Sequence, residues 1–183
     1  KIEDASQVEI RLVAKKSLRQ AQIRFVHLGP KRNTKEFMSL RIATTILGGS
    51  FSSRLMDEIR DNRGLTYSIS SGFSFGKDIG EFQIATFTRL EKVGEMVATT
   101  LQIYEKLKKD GVTSEEVARA KALTLGRFPK AVETPEKMAN NLLHLRAFGI
   151  GDEYLRDYVS NVESISVSDV NAAIRKYMKP GNI

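Results

Sequence analysis

The chain carries two histidines, His27 and His144, and no cysteine. Without thiols, cysteine nucleophiles, disulfide frameworks, iron–sulfur clusters and thiolate zinc sites are excluded. Neither histidine stands in a His-Glu-x-x-His or His-x-x-Glu-His pattern, in which imidazoles one helical turn apart bind zinc and a glutamate serves as base. His27 falls within an alternating segment followed by LGP, and His144 lies between leucines on a helical pattern. Both read as packed, hydrogen-bonded histidines. Gly49-Ser50-Phe51-Ser52 is not the strand-to-helix elbow that exposes a serine nucleophile. The Gly48-Gly49 pair lacks the Lys-Ser/Thr ending of a phosphate loop and the third glycine of a dinucleotide fingerprint. Asp57, Glu58 and Asp61 alternate with Arg54, Arg60 and Arg63 at three- and four-residue spacing, the pattern of surface ion pairs on a helix.

The elements that must position these residues fall into a strand-rich front and a helical back. Residues 8–13 and 20–28 alternate, with Ile23, Phe25 and Leu28 at the buried positions of the second strand, which Gly29-Pro30 stops. Asn33 with Glu36 predicts a capped helix. Phe37, Leu40, Ala43 and Leu47 repeat along it, and Ile42 and Ile46 broaden its apolar surface enough to predict a helix sandwiched between layers. Gly48-Gly49 is expected to end it in a left-handed turn. A short helix from Ser50 or Ser52 to about Asn62 follows, closed by Gly64. Residues 65–75 read as a strand with Leu65, Tyr67, Ile69, Ser71, Phe73 and Phe75 on one side, turning at 77–80 into a second strand, 81–88. The period then becomes helical. Leu90, Val93, Val97, Leu101 and Tyr104 form one stripe on a helix ending near Asp110-Gly111. Thr113 with Glu116 caps a helix to about Phe128, Thr134-Pro135 starts another, and Gly149 and Gly151 precede a short one with Tyr154, Leu155 and Tyr158. Ser166 with Asp169 caps the last. This order predicts an α+β fold, an antiparallel sheet with helices packed mainly on one face. The closing Lys179-Pro180-Gly181-Asn182-Ile183 suggests a turn with a further strand beyond it.

Residues 1–183 are read as a single domain, and a first residue of Lys1 as a piece of a longer polypeptide. The apolar fraction of 41% suffices for an ordinary core. No stretch approaches the ~20 apolar residues that span a bilayer. Lys and Arg number 29 against 22 Asp and Glu, a net charge of +7. Lys15, Lys16, Arg19, Arg24, Lys31, Arg32 and Lys35 crowd the first part of the chain. Such an arm can bind nucleic acid through its phosphates, but few aromatics accompany it and no nucleic-acid motif follows. A solvated basic face is the simpler reading, and no nucleic-acid partner is expected.

The segment LGGSFSSRLMDEIRDNRGLTYS, residues 47–68, resembles the signature of the C-terminal, non-zinc domain of the insulinase/pitrilysin metallopeptidases, the family of mitochondrial processing peptidase and related bacterial zinc proteases. QAQIRFVHLGP, FMSLRIATTILGG and VSDVNAAIRKYMKPGN extend the resemblance over nearly the whole chain. It implies a LuxS/processing-peptidase-like fold and the substrate-binding half of a zinc endopeptidase, inactive alone. Zinc and general base would lie on a homologous domain or subunit that closes over a peptide substrate, in a homo- or hetero-oligomer. No cofactor or metal is expected on this chain. Members of the same fold also serve as non-catalytic assembly subunits, which is the alternative. Arg60 and Tyr67, seven positions apart, match the family's Arg/Tyr pair and are the expected substrate-binding residues. A phenol titrates near ~10 in water and so stays a neutral donor, suited to a carbonyl oxygen gaining negative charge. A guanidinium is a permanent, forked donor. Neither supplies a nucleophile or a base. On spacing alone Tyr67 could equally be core beside Leu65 and Ile69, and Arg60 could pair with Asp57 or Glu58. Arg54 and Arg63 also fall on matching positions, Arg54 as a structural anchor.

Overall fold

A row of rings across three strands organises the core. Phe73, Phe82 and His27 lie opposite one another on neighbouring strands, and the fully buried Phe82 stacks on His27 at 4.8 Å and meets Phe73 at 5.1 Å between centroids. The computed structural model describes residues 5–183. Its antiparallel sheet has the order β1-β3-β2, with β1 Gln20–Gly29, β2 Ile69–Ser74 and β3 Gly80–Arg89 in the centre. Phe25, His27, Ile69, Phe82, Ile84, Thr86 and Thr88 point to the covered face. The opposite face, with Arg24, Val26 and Ser70, remains open to solvent. This is the α+β layout expected, helices on one side of an antiparallel sheet.

Helix α1 (Phe37–Gly48) is the sandwiched element. Leu40, Ile42, Ala43 and Leu47 are wholly buried, because the helix packs on β2, on α3 (Ser114–Val132) and on α7 (Val167–Tyr177). Helix α2 (Val93–Asp110) closes the row of rings from above, with Tyr104 stacked on Phe82 at 5.0 Å. Helices α5 (Glu153–Arg156) and α6 (Tyr158–Glu163) complete, with Leu125 and Phe128 of α3, a second apolar cluster around Phe37, Met38, Tyr158 and Val162, and α4 (Pro135–Ala147) packs on α3. Three expected caps form. Thr113 and Ser166 make reciprocal capping boxes with Glu116 and Asp169, and Thr134 accepts the Lys137 N–H ahead of Pro135.

Several expectations are corrected. Residues 8–13 form no strand; Ile10, Leu12 and Val13 are exposed, and the segment is pinned instead by the Glu9 N–H donating to the Ile183 carbonyl at 2.9 Å. Leu28 has the opposite parity to the buried Phe25 and His27, so the inward row runs Ile23, Phe25, His27. Asn33 caps nothing. Helix α1 starts at Phe37, and Glu36 turns to Lys176, Thr34 and Tyr177. Gly49 has φ −93°, so no left-handed turn ends α1. The glycines serve close approach: a Cβ on Gly48 would stand 2.7 Å from the Ser71 N of β2. Helix α2 buries Met96, Thr100, Tyr104 and Leu107, while Leu90, Val97 and Leu101 lie nearer solvent. Helix α3 runs on to Val132, with Pro129 inside it.

The Glu36–Lys176 pair, at 2.6 Å, ties the start of α1 to the end of α7. The Lys176 and Thr34 hydrogen bonds hold the Glu36 carboxyl down at about 2, below the ~4.3 of an unfolded glutamate. Its contribution to stability is therefore present above the unfolded value and is lost as pH falls towards about 2. Both partners are partly exposed, so solvent screening keeps the contribution of the pair small. Lys176→Gln should thus lose less stability than the parent between about pH 6 and about pH 3, as read by urea unfolding at each pH.

Candidate functional site

The site is built from the end of α1 to the start of β2. After Gly49 the chain passes Phe51, enters a helical turn at Arg54 and widens into a π-helix, Met56–Asn62. Its inner face buries Leu55, Met56 and Ile59. Arg54, the expected anchor, grips Glu116 with two hydrogen bonds, at 2.7 and 2.8 Å, and donates a third to the Gly111 carbonyl. Burial pushes the Glu116 carboxyl up, but the Arg54 and Thr113 hydrogen bonds outweigh it and hold the group below the usual range. Arg63 pairs with Glu58 at 2.7 Å. Those two are five positions apart, because the wider turn brings i and i+5 together: the Arg63 N–H reaches the Glu58 carbonyl. Arg63 also faces Glu95 of α2 at 3.7 Å. The three- and four-residue ion pairs expected along this helix therefore do not form: Arg63 reaches Glu58 across five positions, Arg60 meets its neighbour Asp61, and Arg54 leaves the helix for the part-buried Glu116.

Gly64, at φ +57°, reverses the chain, a conformation that a Cβ would strain. Two buried hydroxyls of β3 then fix the path: Thr88 Oγ1 donates to the Leu65 carbonyl at 2.6 Å and Thr86 Oγ1 to the Ser68 carbonyl at 3.0 Å. Between these pins Thr66 folds onto Ser68, accepting its N–H and donating to its carbonyl. The predicted strand 65–75 therefore begins only at Ile69. The alternation that would have buried Tyr67 with Leu65 and Ile69 is broken, and Tyr67 is 78% exposed.

The structure brings Arg60 and Tyr67 together. Arg60 Cζ lies 5.4 Å from the Tyr67 ring centroid and 5.7 Å from that of Phe51, itself 79% exposed. Arg60 also approaches Asp61 at 3.5 Å, rather than Asp57 or Glu58. The arrangement is a half-exposed guanidinium between two exposed rings, with a phenol hydroxyl and a forked cation as donors. Phe51 escapes sequence reasoning; an aromatic among serines in a loop after two glycines was its one signal. His27 is a packed core residue, its Nε2 2.7 Å from the Tyr104 hydroxyl. His144 sits on exposed α4, remote in sequence and in element from this group. Among the described residues no three His, Asp or Glu side chains converge as a metal-ligand set, so these residues do not fit a zinc ion. No helix among them is long and apolar enough to cross a membrane.

The candidate site is thus a pair of neighbouring donors, Arg60 and Tyr67, at the edge of a one-faced α+β layer. Residues 3–124 match the model of the peptidase M16 inactive domain, and the chain belongs to that family. It is 28% identical over 167 residues to the Bacillus subtilis protein named uncharacterized zinc protease YmxG, covering 91% of this chain and 41% of that one. It is 26% identical over 158 residues to the Helicobacter pylori non-peptidase homolog YmxG, covering 84% and 36%. The crystal structure of a peptidase M16 inactive domain from Pseudomonas fluorescens superposes with a TM-score of 0.83 at 27% identity, over 89% of this chain and 39% of that one. The chain spans less than half the length of the curated relatives it matches. The insulinase-like zinc protease membership that the 47–68 segment implied is thereby established, as is the fold.

Because Arg54 and Glu116 are both largely shielded from solvent, removing one strands the other's charge. Arg54→Gln should cost ~2–3 kcal/mol of stability in urea unfolding, in line with hydrogen bonds to charged groups. Arg63→Gln, more exposed, should cost much less in the same measurement.

Proposed function

We propose that this chain is the substrate-binding, non-zinc half of a zinc-dependent endopeptidase, a single domain of a longer protein or complex. The reading is supported above all by one observation: the Arg60 guanidinium stands beside an exposed Tyr67. In it, an extended peptide lies along the surface next to the end of the π-helix. The Tyr67 hydroxyl donates to a substrate carbonyl oxygen and stabilises the negative charge that develops there, while Arg60 donates to a neighbouring carbonyl or carboxylate. Zinc and the general base belong to a homologous domain or partner subunit, with which this chain forms a homo- or hetero-oligomer. The chain alone is inactive, having donors but no means of activating water.

The second reading is a non-catalytic assembly subunit, favoured by the name of the Helicobacter pylori relative, a non-peptidase homolog. One experiment separates the two. In the complete protein, Tyr67→Phe should lower peptide turnover ~10–1000-fold, the range for loss of one oxyanion donor, with the thermal midpoint unchanged because the hydroxyl is exposed. A complete protein that cleaves peptides at the same rate with phenylalanine at this position refutes the role of Tyr67. A complete protein without peptidase activity leaves the assembly reading standing.

A further inference from the structure

Arg32, Arg41 and Arg127 come from different parts of the chain and line one cavity, of about 300 Å³, between α1, α3, α4 and the α5–α6 turn. No aspartate or glutamate lines it. Arg54, Arg63, Arg119, Arg146 and Arg156 each hold a carboxylate; among the described residues Arg32, Arg41 and Arg127 do not, nor do Arg19, Arg24 and Arg175, and what distinguishes the first three is that they line one cavity. Arg32 is half-buried, its Cζ 3.4 Å from the Phe37 ring centroid and 5.1 Å from that of Tyr154. Stacking of this kind fixes a guanidinium without neutralising it. Arg41 and Arg127 are exposed. The Tyr154 hydroxyl, shielded from solvent, makes no well-formed hydrogen bond. Phe128, Leu145 and Phe148 add an apolar wall.

Like charges gathered without a counter-ion are unfavourable, more so where one is desolvated. Burial indeed pushes the Arg32 guanidinium below its ordinary range, against the opposite pull of Tyr154, and Arg41 adds to the push. A bound anion removes the repulsion and supplies the charged acceptor that these forked donors lack. The volume lies at the small end of ligand pockets, ~300–1,000 Å³.

We propose that this cavity binds a small organic anion, its carboxylate or phosphoryl group held by Arg32, Arg41 and Arg127 and its short apolar or aromatic body against Phe128 and Phe148. The site is separate from the Arg60–Tyr67 group in the residues and elements that build it, and it does not rest on the peptidase reading.

Calorimetric titration of the chain with benzoate, phenyl phosphate and neutral benzamide tests this. Saturable one-to-one binding of at least one of the two anions is expected, without binding of benzamide, and the tighter anion identifies the head group. Arg127→Gln, an exposed residue that holds no carboxylate among the described residues, should weaken that binding ~10-fold or more, as loss of a charged hydrogen bond does. Lys109→Gln, an exposed position of α2, should leave it unchanged. Absence of saturable anion binding, equal binding of benzamide, or equal affinity in Arg127→Gln would each overturn the proposal.

Discussion

The bidentate contact between Arg54 and Glu116 is the joint on which the candidate site rests. Glu116 does two things at once: it closes the capping box that starts α3, accepting the Thr113 N–H, and it accepts both arms of Arg54. Arg54 in turn reaches the carbonyl of Gly111, the residue that ends α2. One ion pair therefore fixes the entrance of the π-helix against the junction of the two long helices. Charged hydrogen bonds of this geometry carry direction as well as energy. Arg60 sits beyond this joint on the same short element, one residue past the buried Ile59, so its placement follows from that of Arg54.

Tyr67 is placed from the other side, by β3. Thr86 and Thr88 project into the covered face of the sheet, where threonine is as good a strand former as valine. Their hydroxyls bind backbone carbonyls on either side of Tyr67. The ladder of β2 starts only at Ile69, so these carbonyls take their partners from side-chain hydroxyls, Ser68 from Thr66 as well as Thr86. Site and core are thus joined by hydroxyl contacts from the central strand, and the aromatic row of Phe73, Phe82 and His27 holds that strand in register.

Features with a local physical cause could be read in the sequence. The capping boxes at Thr113 and Ser166, the Thr134-Pro135 start, the hairpin and the broad apolar surface of α1 all depend on residues within a few positions of one another. What escaped depends on distant partners. The Gly48-Gly49 pair looked like a left-handed stop, whereas Gly48 is small because Ser71 crosses it. Glu36 looked like a cap but is claimed by Lys176 from the far end of the chain. The strand pattern around Tyr67 was overridden by Thr86 and Thr88, and the apolar alternation of 8–13 found no neighbouring strand to join. Arg60 and Tyr67 were reached through the resemblance of the 47–68 segment, since spacing alone left both with ordinary structural roles.

The contacts of Arg60 with two solvent-facing rings have an energetic corollary. A cation over an exposed aromatic face is worth ~0.5–1 kcal/mol, less than the ~1.5–3 kcal/mol of a hydrogen bond to a charged group. Phe51 and Tyr67 thus act as a loose cradle that narrows where the cation can wander while surrendering it readily to any stronger acceptor. A side chain so held is aimed in advance yet remains free to be recruited.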